Sequence, residues 1–123
     1  MSTSLTAGQH ALLESELQLA RQRAHTALLA QRDGSDRLAH AAALVTEDPR
    51  ELREHEAERE LDQIRDAHLV AELQAIDNAL LRLSQPGFGR CIDCAAVIPF
   101  DRLQRQPQAL RCVACQSATE AAR

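Results

Sequence analysis

The chain has 123 residues, a formal net charge of −4 and only two aromatic residues. So few bulky side chains argue against a large globular core, whereas the many Ala, Leu, Gln, Glu and Arg residues favour long helices packed in pairs. All 14 basic residues are arginines, and the acidic balance argues against binding to DNA or RNA by neutralising phosphates. A protein partner with a basic surface remains compatible with this charge.

The first segment, from about Gln9 to Val45, predicts a long helix. Its apolar residues recur at a spacing of 4-3-4-4, which marks one face of a helix: Leu13, Leu17, Ala20, Ala24 and Leu28. Gly34, followed by Ser35 and Asp36, predicts a kink or a short break. Pro49 ends any continuous helix.

The second segment runs from Pro49 to about Ser84 and carries the strongest periodic signal. Its aliphatic residues repeat at 4-3-4-3, the seam of a coiled coil: Leu69, Leu73, Ile76, Leu80 and Leu83. The two helices predict an antiparallel hairpin over residues 1–84, with its tip near 46–53. From Glu47 to Asp66 there are nine acids, four arginines and only three large aliphatic residues, so we expect the tip to be solvated.

The four cysteines form two C-x-x-C pairs, Cys91/Cys94 and Cys112/Cys115, with 17 residues between the pairs. This spacing predicts one tetrahedral zinc site, in a module over residues 85–123 that ends in a short helix. Four thiolates leave no position for water or substrate, so the ion should be structural. Two disulfides or a thioredoxin-like redox pair are the alternatives. The first suits an oxidising compartment and the second a βαβ setting, which the pattern of elements lacks.

Other functional signals are weak. No catalytic triad order, phosphate loop or nucleotide fingerprint is present, so an enzyme is not expected. The N-terminus lacks the features of a signal peptide, and no uncharged run is long enough for a membrane span, which predicts a cytoplasmic, soluble chain. The zinc module has a local charge of +2, from five arginines and three acids. A weak nucleic-acid-binding zinc finger is therefore an alternative, although stacking aromatics and a recognition helix are missing.

The zinc module resembles the C-terminal module of the DksA/TraR zinc-finger family. The resemblance rests on the cysteine spacing, on Phe88 between two glycines, and on the run from Ile98-Pro99 to Arg102-Leu103. The upstream hairpin agrees in length and order. One departure is Ala95, which follows the second cysteine where the family usually has glycine, and which predicts strain in the turn.

The resemblance implies a regulator that binds bacterial RNA polymerase through the secondary channel, with acids at the hairpin tip near the active centre. At the tip, Asp48 matches the first acid of the family's motif, Glu51 stands where the family has a second Asp, and Arg53 stands where it has Ala. Both acids also suit the start of a helix, where Asp48 is a good N-cap and Glu51 stands at the third helical position. A zinc-stapled coiled-coil adaptor with another protein partner is the alternative function.

The same resemblance implies a weak or absent response to the alarmone ppGpp. Family members that respond place Lys or Arg at three positions that are neutral here: Ala75, Gln106 and Gln116. Neutral side chains forgo charge-assisted hydrogen bonds to phosphates. We further expect a monomer.

Overall fold

The computed structural model describes residues 5–45 and 48–122. It contains two long helices and two short ones: α1 (Ala7–Val45), α2 (Pro49–Leu83), α3 (Phe100–Arg105) and α4 (Val113–Ala121). No strand occurs within these residues, although one isolated β-bridge joins Arg90 to Val97. The helical hairpin with a short C-terminal helix confirms the predicted fold class. No helix in the described ranges is both long and apolar enough to cross a membrane.

Helix α1 begins with a reciprocal cap. The backbone N–H of Gln9 donates to Thr6 Oγ1 at 3.1 Å, and the backbone N–H of Thr6 donates to Gln9 Oε1 at 3.0 Å. The two side chains thus satisfy backbone donors at the helix start. Of the kink or short break predicted at Gly34, the break is wrong, because α1 continues through this residue to Val45. A glycine inside a helix lowers helix stability by only about 1 kcal/mol relative to alanine. Breaking the helix there would lose the stabilisation of several backbone hydrogen bonds, which together contribute more than this.

The described residues group into two compact units. The base unit joins residues 5–21 with 75–122, and the tip unit spans 22–74. The sequence modules proposed above, 1–84 and 85–123, divide the chain differently. The base unit therefore contains both ends of the hairpin together with the zinc module.

The base unit holds most of the buried apolar side chains. Helix α1 contributes Leu13 and Leu17, helix α2 contributes Ile76, Ala79 and Leu83, and the remaining segment contributes Phe88, Cys91, Ile98 and Leu103. Both predicted helical stripes thus face the interior in this unit. Fully burying a Leu, Ile or Phe side chain stabilises a fold by about 1.5–3 kcal/mol, so this core is the main apolar contribution.

A histidine joins the two helices at the base of the hairpin. His10 Nε2 donates to the carbonyl of Leu83, the last residue of α2, at 2.6 Å, and its ring meets the Phe88 ring edge-on at 6.4 Å between centroids. Gly89 follows with φ of +89°, and a β-carbon there would lie 3.6 Å from Leu5. The hydrogen bond satisfies one carbonyl at the helix end, and the glycine permits the turn into the zinc module.

The tip unit has little apolar interior. Among the residues of this unit whose side chains the structure describes, only Ala24 and Leu28 are buried hydrophobics, and five large aliphatic residues are exposed: Leu29, Leu38, Leu52, Leu61 and Ile64. Polar pairs join the helices instead. Arg32 contacts both carboxylate oxygens of Asp66 at 2.8 and 3.3 Å, and Gln31 donates to Asp62 at 3.2 Å. The expectation of a thinly apolar, solvated segment is therefore confirmed for the described part.

Candidate metal centre

The first cysteine pair lies in a tight turn. The backbone N–H of Ala95 donates to the carbonyl of Cys91 at 3.0 Å, and the N–H of Cys91 donates to the carbonyl of Ala96 at 2.8 Å. Ala95 has φ of +62°, the only non-glycine residue with positive φ in the described ranges. This left-handed conformation costs a residue with a β-carbon about 1–2 kcal/mol. The strain predicted from the departure at Ala95 is therefore present in the structure.

The second pair is held by the start of α4. Cys112 is the N-cap residue, and its sulfur accepts a hydrogen bond from the backbone N–H of Cys115 at 3.5 Å. The N–H of Gln116 donates to the carbonyl of Cys112 at 2.9 Å. Helix α4 begins at Val113, directly after the second cysteine pair's first member, because the Cys112 thiol acts as the cap. The two thiols of this pair are thereby placed on one helical turn.

The fold brings the four thiols together. Their sulfur atoms all lie within 4.8 Å of one another, and the distance from Cys94 Sγ to Cys112 Sγ is 3.8 Å. Four thiolates at about 2.3 Å from one ion have neighbouring sulfurs about 3.8 Å apart in a tetrahedron. All four cysteines are free, with Cys91 buried and Cys94 exposed, so the disulfide alternative is not what the structure contains. The donor set fits zinc.

The protein environment perturbs the thiols in opposite directions. Burial opposes ionisation of Cys91, but hydrogen bonds from the backbone of Cys112, Cys94 and Asp93 outweigh it and lower the pKa of Cys91 to about 6. Hydrogen bonding with the Cys112 thiol, together with the other neighbouring thiols, raises the pKa of Cys115 above its ordinary value. Without a cation, the neighbouring thiols do not all ionise together, because each thiolate disfavours the next. A divalent cation bound among them would stabilise all four as thiolates.

An ion pair and a short helix connect the two cysteine pairs. Arg111 Nε, beside the second pair, donates to Asp93 Oδ2, within the first pair, at 2.7 Å. Arg102 on α3 donates to the carbonyl of Arg111 at 2.9 Å. Leu103 of the same helix is fully buried. These contacts hold the intervening segment so that the second pair faces the first.

Helix α3 was not predicted. Its signals were present, since Pro99 precedes it, an acid stands in its first turn and arginines stand in its last turn. At six residues it is too short for a periodic pattern to appear.

The four arginines that the structure describes in the zinc module are engaged within the module. Besides Arg102 and Arg111, Arg90 donates to the carbonyl of Ala95 at 3.2 Å, and Arg105 donates to that of Asp101 at 3.3 Å. The guanidinium groups that carry the local positive charge are thus hydrogen-bonded to other residues of the module. These contacts weaken the nucleic-acid alternative, because phosphates would have to compete for the same guanidinium groups.

The tip residues lie at the start of α2. Asp48 Oδ1 accepts a hydrogen bond from the backbone N–H of Arg50 at 3.0 Å, and the N–H of Leu52 donates to the carbonyl of Asp48 at 3.0 Å. The capping role predicted for Asp48 is confirmed. Asp48 and Glu51 are both exposed. Residues 46 and 47 of the predicted tip lie outside the described residues.

Two of the three neutral positions considered for ppGpp meet at one cavity. Gln106 and Gln116 both line a cavity of about 450 Å³, with Arg102 and Arg111, whereas Ala75 is not among its lining residues. Gln116 Nε2 donates to Glu120 Oε1 at 2.9 Å. The cavity therefore presents amides, two engaged arginines and an acid.

Comparison with known proteins identifies the module. Residues 86–121 match the sequence model of the prokaryotic dksA/traR C4-type zinc finger. The chain carries a zinc finger of the DksA/TraR family, and its cofactor is one structural zinc ion.

The fold is also similar to a solved structure. The structure of transcription factor DksA2 from Pseudomonas aeruginosa aligns with a TM-score of 0.80 at 21% sequence identity, covering 94% of this chain and 86% of that chain. At this identity the likeness shows the fold alone. A search of curated proteins gives no significant match.

Proposed function

We propose that this protein is a DksA-like transcription regulator that binds bacterial RNA polymerase through the secondary channel. Two observations together carry the proposal. Residues 86–121 match the family's zinc finger, and 94% of the chain aligns in fold with the transcription factor DksA2. The proposed setting is the bacterial cytoplasm. The protein acts by binding and not by catalysis, as a monomer.

The tip acids are the proposed effectors. Asp48 and Glu51 are exposed at the start of α2. The excess of acids between Glu47 and Asp66 makes this segment strongly negative. A negative helical segment is attracted by basic residues or by bound Mg²⁺ in an active centre. The capping bond to Asp48 fixes the backbone from which both carboxylates project.

The zinc ion has a structural role in this proposal. Cys91, Cys94, Cys112 and Cys115 are its ligands, and four thiolates complete its coordination, leaving no open position for substrate. When bound, the ion supplies folding free energy to the module. The residues of the base unit then hold the ends of α1 and α2 against that module.

A weak or absent response to ppGpp is part of the proposal. The cavity lined by Gln106 and Gln116 offers amides where phosphates would favour cations. Its two arginines are already hydrogen-bonded, since Arg102 donates to the carbonyl of Arg111 and Arg111 donates to Asp93. Losing two charge-assisted hydrogen bonds of about 1.5–3 kcal/mol each weakens binding on the order of a hundredfold or more. A transcription assay with polymerase lacking any other alarmone site tests this, and a strong ppGpp-dependent change would contradict it.

The polymerase proposal is tested by direct binding. Tagged, zinc-loaded protein should retain the polymerase subunits from a bacterial lysate, and purified protein should change the lifetime of promoter complexes formed by purified polymerase. The second measurement separates a regulator from a passive adaptor. Capture of other proteins without polymerase, together with unchanged promoter complexes, would favour the adaptor.

A further inference from the structure

The base unit contains a second, smaller cavity where α2 leads into the zinc module. Its volume is about 190 Å³, and Phe88, Ile92 and Leu110 give it an apolar wall. At about 30 Å³ per water molecule, it has room for about six waters or one large apolar side chain. Ile92 is 56% exposed although it is large and aliphatic. The cavity is thus open to an incoming group.

The charge at this cavity is one-sided. Its lining includes two arginines, Arg82 and Arg90, and no acid. Within the described residues the Arg82 guanidinium has no hydrogen-bond or ion-pair partner, and its partial burial lowers the pKa of Arg82. A partly desolvated cation without a counter-charge is unfavourable, and an anion placed beside it would relieve that cost.

We propose that this cavity docks an acidic segment of a protein partner, which inserts one apolar side chain and places a carboxylate beside Arg82. The apolar wall selects the inserted side chain, and the two arginines select the charge, so neither feature alone explains the site. The proposal goes beyond polymerase regulation by the tip and stands independently of it.

A peptide fits these features better than a nucleic acid does. Phe88 is only 5% exposed, so its ring offers no face on which a base can stack. Arg90 already donates to the carbonyl of Ala95. The net charge of −4 repels a polyanion along its length but has less effect on a short acidic peptide.

Binding of three peptides to the zinc-loaded full chain tests the proposal. The probe is acetyl-Glu-Asp-Leu-Asp-Glu-amide. One control replaces its acids by the corresponding amides, and the other replaces its leucine by alanine. Backbone amide NMR shifts report the position of binding. We expect saturable shifts at Gly87, Gly89, Ile92 and Leu110 with the probe, and binding at least about tenfold weaker for each control.

Two substitutions locate the contact. Arg82→Gln should weaken the acidic peptide about tenfold or more, whereas Arg23→Gln, the same charge change at an exposed position of α1, should leave it unchanged. A β-carbon at Gly87, which also lines the cavity, would meet no heavy atom within 4 Å. Gly87→Leu can therefore occupy the cavity while the fold persists, and it should abolish the leucine-dependent part of the affinity. Zinc content and helical circular dichroism confirm folding of each variant.

The proposal is overturned if the acidic and neutral peptides bind equally, if Arg82→Gln and Arg23→Gln have equal effects, or if the shifts lie outside the cavity. It is also overturned if a ten-nucleotide oligothymidine shifts the same amides more strongly than the peptide does. That result would assign the site to nucleic acid.

Discussion

Replacing Ala95 by glycine should tighten zinc binding. Ala95 adopts φ of +62° in the turn that closes the first cysteine pair, and a β-carbon in that region costs about 1–2 kcal/mol. Glycine removes this cost but adds about 0.5–1 kcal/mol of unfolded-state freedom. Because Ala95 is exposed, little buried apolar contact is lost. The net gain is about 0.5–1 kcal/mol.

This gain should appear in zinc affinity, since the turn must form for both thiols of the pair to reach the ion. A gain of about 0.5–1 kcal/mol corresponds to roughly two- to fivefold tighter binding. Competition with a chromophoric chelator at fixed pH measures the ratio. Thermal unfolding of the zinc-loaded protein should shift in the same direction.

Ala96→Gly is the matched control. Ala96 is the next residue, is also exposed, and has no positive φ. Its replacement adds unfolded-state freedom without relieving strain, so it should weaken zinc binding slightly. If Ala95→Gly binds zinc no more tightly than Ala96→Gly does, the strain argument is refuted.

Three further outcomes are expected. Purified, reduced protein should contain one zinc ion per chain by metal analysis, and zinc-free wild-type protein would contradict this. Cys112→Ser should lower the zinc affinity and destabilise the base unit, because the lost sulfur is both a proposed ligand and the cap of α4. Asp48→Asn retains an N-cap and should leave stability and polymerase binding almost unchanged while removing the transcriptional effect. Full activity of both Asp48→Asn and Glu51→Gln would instead show that these residues have only structural roles. The hydrogen bond from Arg32 lowers the pKa of Asp66 below its ordinary value of 3.8, so the pair stabilises the tip unit fully above that pH and loses its effect as pH falls through the lower, folded-state pKa. Amide hydrogen-exchange protection in the tip unit, measured relative to the intrinsic exchange rate at each pH, should therefore fall in this acid window, and Asp66→Asn should remove that pH dependence. An unchanged dependence in this variant would assign it to other carboxylates.

The sequence predicted the zinc site and the helical core because both depend on spacing. Two C-x-x-C pairs restrict the ligand geometry directly, and the stripes through Leu13 and Ile76 follow from the helical repeat. The capping bond of Asp48 was also predictable, since a side-chain acceptor before a proline at the first helical position is a local signal.

Other features depend on contacts between distant residues. Arg32 with Asp66, and Gln31 with Asp62, pair only once the register of the two helices is known. The apolar repeat within one helix does not specify how far that helix is shifted along the other. The uninterrupted passage of α1 through Gly34 likewise depends on the helical hydrogen bonds on either side of the glycine, which the local signal for a break does not contain.

The sparse interior of the tip unit has a consequence for how such a chain can evolve. Substitutions at exposed positions usually change stability by no more than about 0.5 kcal/mol, and among the described residues of this unit only Ala24 and Leu28 are buried hydrophobics. The unit can therefore accumulate mutations with little effect on folding. In the base unit, by contrast, replacement of Leu17 or Ile98 by alanine would cost about 2–5 kcal/mol. Selection can thus vary the acids near the start of α2 from lineage to lineage while the zinc-bound base stays the same.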